Sequence, residues 1–118
     1  MYFGYHLMLD CSECDSRITN RDIIYKFSKD LVKRIDMIAH GEPIIEFLCP
    51  GDLEKEGYSL MQLITTSNIA GHFIDHHRHM YLDVFSCKKF NPEIVVATVK
   101  EYFGANKIRV NFITRNAG

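Results

Sequence analysis

Apolar residues in this chain keep helical spacing in only two stretches. Elsewhere they alternate with polar ones over runs too short for helices, and Gly or Pro closes several of those runs. In the first helical stretch Ile23, Ile24, Phe27, Leu31, Ile35 and Ile38 recur three or four apart, with Thr19 or Asn20 placed to cap the start. His40-Gly41-Glu42-Pro43 is expected to end it, because Gly leaves helical geometry easily and Pro disfavours it in the residue before. In the second, Pro92 to Phe103, Ile94, Val95, Val99 and Phe103 share one side, with Pro in the first turn. Strands are predicted over Tyr2 to Leu9, Ile44 to Cys49, Ser59 to Thr65, Met80 to Ser86 and Lys107 to Thr114. Cys11 to Asn20 reads as polar and turn-like, and Asp52 to Gly57 as a charged loop. Strand–helix–strand–strand followed by strand–helix–strand predicts two similar halves. The expected fold is an α+β two-layer sandwich, a mainly antiparallel sheet with helices on one face.

With 118 residues and 47% apolar composition, residues 1–118 are expected to form one domain. Lys plus Arg number 14 and Asp plus Glu 15, so a net charge of −1 offers no electrostatic footprint for nucleic acid. No apolar run approaches the roughly 20 residues that span a bilayer. Met1 to His6 lacks the basic start of a secretory signal, so a soluble, cytoplasmic chain without a membrane partner is expected. Cys11-Ser12-Glu13-Cys14 is a lone C-x-x-C with no second ligand pair, and it reads as a strand end with Cys14 packed inward. His72, His76, His77 and His79 would suit a metal only on a helix. Gly71 and the run Asp75 to Arg78 read instead as a hairpin turn, so no metal site is expected.

Four residues stand at intervals that chemistry can use: Ser59, Ser67 eight later, His72 five after that, and Cys87 twenty after Ser67. Singly they have ordinary readings as a turn hydroxyl, a satisfied polar side chain or a small buried hydrophobe. Ser59 begins a strand that ends just before Ser67, so both are expected at one edge of the sheet. Cys87 ends the next strand, where a loop exposes it. A thiol with a reference pKa of about 8.5 suits proton donation near neutrality.

Together and in this order, these residues resemble the core of the pyruvoyl-dependent S-adenosylmethionine decarboxylase family in its short bacterial and archaeal form. Gly4-Tyr5-His6-Leu7 with Asp10 and Cys14-Asp15 resembles the family's opening strand, and Phe47-Leu48 with Pro50 its second. Asp83-Val84-Phe85-Ser86-Cys87 and Asn91-Pro92 extend the likeness, which runs from about Phe3 to Arg115. The resemblance implies a proenzyme that cuts itself between Thr66 and Ser67, with Ser67 becoming a covalent pyruvoyl group. It assigns Ser59 to the ester-forming step, His72 to the base of self-processing, and Cys87 to protonation of the substrate carbon after carbon dioxide leaves. It also implies a homodimer of processed protomers acting on a small molecule.

The chain departs from the family at several points. Thr66 stands where many members carry Glu, and Asn68 replaces the usual His. Phe73-Ile74-Asp75-His76 replaces the common Thr, aromatic, Pro and Glu that help to hold the adenosyl group. Asp75 lies one position early and is shorter than Glu. The departure resembles relatives that decarboxylate L-arginine or L-ornithine, and such a substrate in polyamine biosynthesis is the expectation. Asp10, Glu46 and Asp75 are candidates for its distal cation, and Phe47 for a further substrate contact. The alternatives are S-adenosylmethionine itself, and an unprocessed pseudoenzyme serving as a binding or regulatory subunit.

Overall fold

The computed structural model describes residues 2–118. Six strands and two long helices follow one another: β1 (Gly4–Ser12), α1 (Arg21–Arg34), β2 (Ile44–Leu48), β3 (Gly57–Ile64), β4 (Ser67–Ile74), β5 (His79–Ser86), α2 (Pro92–Phe103) and β6 (Lys107–Arg115). A short 3₁₀ turn, Ser16–Thr19, lies between β1 and α1. All neighbouring strands pair antiparallel, in the order β2-β3-β4-β5-β1-β6. This is the expected two-layer α+β sandwich, with one strand more in the second half. That strand is β4, which sequence reading missed because Gly71 looked like a turn. Gly71 sits mid-strand, and a Cβ there would lie 3.1 Å from the Phe73 ring, so its missing side chain gives that ring room.

One face of the sheet is buried. Leu7 and Leu9 of β1, Leu60 of β3, Ile69 and Phe73 of β4, and Met80, Leu82 and Val84 of β5 pack against Ile24, Phe27 and Leu31 of α1 and Val95, Val99 and Phe103 of α2. Strand alternation leaves the residues between them on the opposite face, which no helix covers. Phe103 centres the helix layer, with ring centroids 4.9 Å from Phe27 and 5.3 Å from Phe73. Asn20 caps α1 by accepting from the amides of Asp22 and Ile23, and Asn91 caps α2 through the amide of Glu93.

Two boundaries differ from expectation in ways that shape the site. β1 starts at Gly4 and runs to Ser12, past the expected end at Leu9, so Asp10 is a strand residue and Cys11 belongs to the strand rather than to a turn. α1 stops at Arg34, well before Gly41. Asp36 takes the left-handed conformation (φ 57°), its amide bonds to the Lys33 carbonyl, and the amide of Met37 bonds to that of Val32. This closure turns the chain a full turn early. It leaves Ile38 exposed and carries Met37 into the interior, toward the β3–β4 hairpin.

Candidate active site

Thr65 and Thr66 alone connect β3 to β4, because Ile64 pairs directly with Ser67. Two-residue hairpins favour turns with positive φ, normally supplied by Gly or Asn. Neither threonine adopts a positive φ, and the unusual angle falls instead on Ser67, at 154°. Backbone in such a region is costly for any residue with a Cβ and persists only where surroundings hold it. Here they do. The Thr66 carbonyl accepts the amide of Cys87 at 3.0 Å, and the Thr65 amide bonds to the Ile38 carbonyl at 2.9 Å. The Asn68 amide group donates to Ser67 Oγ at 3.1 Å. Cys87 follows β5 directly and is exposed. The structure thus brings Thr66, Ser67, Asn68, Ser86 and Cys87 together at one end of the sheet. A donor on the Thr66 carbonyl polarises the bond that a neighbouring hydroxyl would attack.

Ser59 and His72 form a second group. They are direct cross-strand partners on the uncovered face, and Ser59 Oγ and His72 Nδ1 share a hydrogen bond of 3.1 Å. The same register crosses the whole sheet: Glu46, Ser59, His72, Tyr81, Asp10 and Arg109 stand side by side, one from each strand. Asp10, Tyr81 and Arg109 border a polar hollow of about 440 Å³, and Ser59 and His72 line a more apolar one of about 260 Å³.

The expectation that Ser59 and Ser67 share an edge fails. Five residues of extended strand separate Ser67 from His72, roughly 17 Å at 3.3 Å per residue. Antiparallel pairing folds β3 back along β4, so the end of β3, not its start, meets Ser67. Among the substrate candidates, Asp10 and Glu46 are exposed in the His72 row. Phe47 faces the helix side, its ring 5.2 Å from that of Tyr58. Asp75 lies in the β4–β5 turn, with Oδ1 buried and unbonded and its carboxyl held above the ordinary range by burial and by Glu56. Neither Phe47 nor Asp75 is presented beside Ser59 and His72. Sequence reading missed Tyr81 and Ser86, since only the register shows what stands beside them.

Cys11, Cys14, His76 and His77 are committed elsewhere. Burial, with Cys14 and Asp10 adding, pushes the Cys11 thiol up to about 12; burial likewise pushes Cys14 up to about 11, with Asp15 contributing. Both stay protonated at neutral pH, the wrong state for a metal thiolate. His76 and His77 donate to Glu56 and Glu54, each at 2.8 Å, tying the β4–β5 turn to the β2–β3 loop. Among the described residues no group of three or more His, Cys, Asp or Glu is arranged to hold a metal.

The S-adenosylmethionine decarboxylase family profile matches residues 5–116. The chain belongs to this family. A Clostridium botulinum (strain Hall) protein, described as an S-adenosylmethionine decarboxylase proenzyme, is 28% identical over 97% of this chain and 95% of its own length. A second, from strain Langeland, is 27% identical over the same shares. The crystal structure of an adenosylmethionine decarboxylase from Aquifex aeolicus superposes with a TM-score of 0.81 over 99% of this chain and 93% of that one; at 17% identity it speaks for the fold. As a member of the S-adenosylmethionine decarboxylase family, this chain is a pyruvoyl-dependent carboxy-lyase made as a proenzyme. Its covalent pyruvoyl group derives from an internal serine. The hairpin end of the site fits such a group, because the Asn68 amide that donates to Ser67 Oγ could equally donate to a carbonyl there. Among the described residues no helix is long and apolar enough to cross a membrane.

Proposed function

We propose that this protein decarboxylates S-adenosylmethionine after cutting itself between Thr66 and Ser67. The observation that carries the proposal is the strained Thr66–Ser67 hairpin with its carbonyl on the Cys87 amide, in a chain of this family. Ser67 Oγ attacks the Thr66 carbonyl carbon; the C–O bond forms as the C–N bond breaks, and the Cys87 amide holds the carbonyl oxygen while it carries charge. Ser59 assists this exchange of amide for ester, and His72 then takes the Ser67 Cα proton. Elimination releases Thr66 as a carboxylate, and water displaces ammonia to leave the pyruvoyl end. That group supplies an electron sink for carbanion chemistry when present. Asn68 orients it, and the exposed Cys87 thiol delivers a proton to the substrate carbon. Severing the hairpin leaves both fragments in place, because β4 stays hydrogen-bonded between β3 and β5.

Ser59 and His72 cannot reach Ser67 of their own chain, so the proposal includes a homodimer. The uncovered face carries Ile44, Met61, Leu63, Tyr81 and Ile113, all more than 40% exposed. Two such faces packed about a two-fold axis running across the strands exchange the ends of the sheet. The partner's Ser59 and His72 then stand over this chain's Ser67.

The arginine or ornithine reading rested on Phe73-Ile74-Asp75-His76. Phe73 proves fully buried against Phe103, and Asp75 lies in the β4–β5 turn with Oδ1 buried and unbonded. The burial of Phe73 gives this segment a packing role, which accounts for part of its departure from the family pattern without a change of substrate. The curated relatives, described as S-adenosylmethionine decarboxylase proenzymes, support the nucleoside substrate. The test is carbon dioxide release from each substrate, with intact mass of the purified protein. Fragments 1–66 and 67–118 and turnover of S-adenosylmethionine are expected. Turnover of L-arginine or L-ornithine in its place overturns the substrate; a single uncut species overturns the processing.

A further inference from the structure

We propose that Ser86 is a positioning residue for self-cleavage, acting through the side chain of Thr66. The proposal rests on the self-processing reading above. Ser86 is fully buried, and its hydroxyl lies 2.7 Å from Thr66 Oγ1. The Lys88 amide donates to Ser86 Oγ at 3.0 Å, and Met37 Sδ lies 3.5 Å from Thr66 Oγ1 and 3.7 Å from Ser86 Oγ. With one Ser86 lone pair taken by Lys88, one hydroxyl donates to the other and the remaining O–H points to the sulfur. Both hydroxyls of this small, partly buried cluster are thereby used.

The cluster fixes the residue whose carbonyl is attacked. Thr66 is held twice by consecutive residues, its side chain by Ser86 and its carbonyl by the Cys87 amide. Without the side-chain hold, the hairpin can relax its unusual Ser67 angle by rotating the Thr65–Thr66–Ser67 peptides. Rotation would lift the carbonyl off its donor and carry it away from Ser67 Oγ. Displacements of about 1 Å at a reacting pair cost rate by up to a hundredfold. Met37 reaches the cluster because α1 stops at Arg34 and the chain turns at Asp36. A threonine before the scissile bond thus has a defined partner, where a longer acidic side chain would need a different one.

The experiment follows conversion of full-length chain to two fragments by intact mass, in wild type, S86A, T66V, T66S and the S86A/T66V pair. S86A and T66V are each expected to cleave roughly ten- to a hundredfold more slowly. The pair should be no slower than either alone, because both remove the same contact. T66S keeps the hydroxyl and should cleave close to the wild-type rate. Cleavage of S86A at the wild-type rate, or slowing that multiplies in the pair, overturns the positioning role. If S86A does not fold, T66V against T66S decides, and equal rates for those two overturn it. A wild-type chain that never cleaves under the same conditions sinks the self-processing reading instead, so the two failures are separable.

Discussion

Asp75 shows how one carboxylate can lower the stability of a fold at neutral pH. Its Oδ1 is buried without a hydrogen bond, and burial first, then Glu56, holds the group above the ordinary carboxylate range. The folded protein therefore binds this proton more tightly than the unfolded chain. The stability so gained is present below the unfolded carboxyl range and is lost as pH rises through the raised folded value. Asp75→Asn keeps the shape and removes the charge. The thermal midpoint should rise at pH 7 by about 3 °C, the scale of a fraction of a kcal/mol in a chain of this size. The gain should fade as pH falls toward 4, near the reference value for aspartate. A lower midpoint for Asp75→Asn at pH 7 would show that the carboxylate makes a favourable contact.

Among the elements, the approach of β3 to β4 depends on Gly57. A Cβ there would stand 1.7 Å from the Phe73 carbonyl oxygen, a distance no rotamer change can relieve, since the neighbour is backbone. Gly57→Ala must push the start of β3 away from the end of β4, two residues from the Ser59–His72 pair. A loss of about 1–3 kcal/mol in urea unfolding is expected, as for other overpacked sites, with slower self-cleavage. In the helix layer, Phe103→Ala removes the ring that joins Phe27 to Phe73 and should cost about 3–5 kcal/mol. Retained cooperativity and an unchanged urea midpoint in Phe103→Ala would contradict its place at the centre of the core.

At the scale of the molecule, the separation of Ser67 from His72 along one strand makes a specific demand on assembly. If each site takes Ser67 from one protomer and Ser59 with His72 from the other, Ser67→Ala and His72→Ala chains are each inert alone. Mixed by co-expression, they form heterodimers with one complete site, so cleavage should return in up to half of the chains of those dimers. The readout is fragment mass after co-purification on two tags. Absence of cleavage in verified heterodimers, while wild type cleaves, rules out a shared site. Leu63→Glu, placing charge on the uncovered face, should shift the protein toward monomer by light scattering and slow cleavage with it.

The positions of both helices, five of the strands and the layer arrangement were legible because period and breakers are local: Asn20 caps, Pro92 starts a helix, and alternation marks each sheet face. The spacing of Ser59, Ser67, His72 and Cys87 was legible for the same reason, as a string along the chain. What the string could not convey was distance. Ser59 and Ser67 lie close in sequence on adjoining strands, yet antiparallel pairing sends one to each end of the sheet. β4 hid behind Gly71, whose reason is the ring of Phe73 packed against it, and α1 ended at Arg34, closed at Asp36 through backbone bonds that no side chain announces. Nor could the string convey that Asp75 Oδ1 is buried without a hydrogen bond. Local sequence determined which elements form and which chemical groups this protein owns. Only tertiary pairing decided which groups meet, because register and burial depend on residues far apart in the chain.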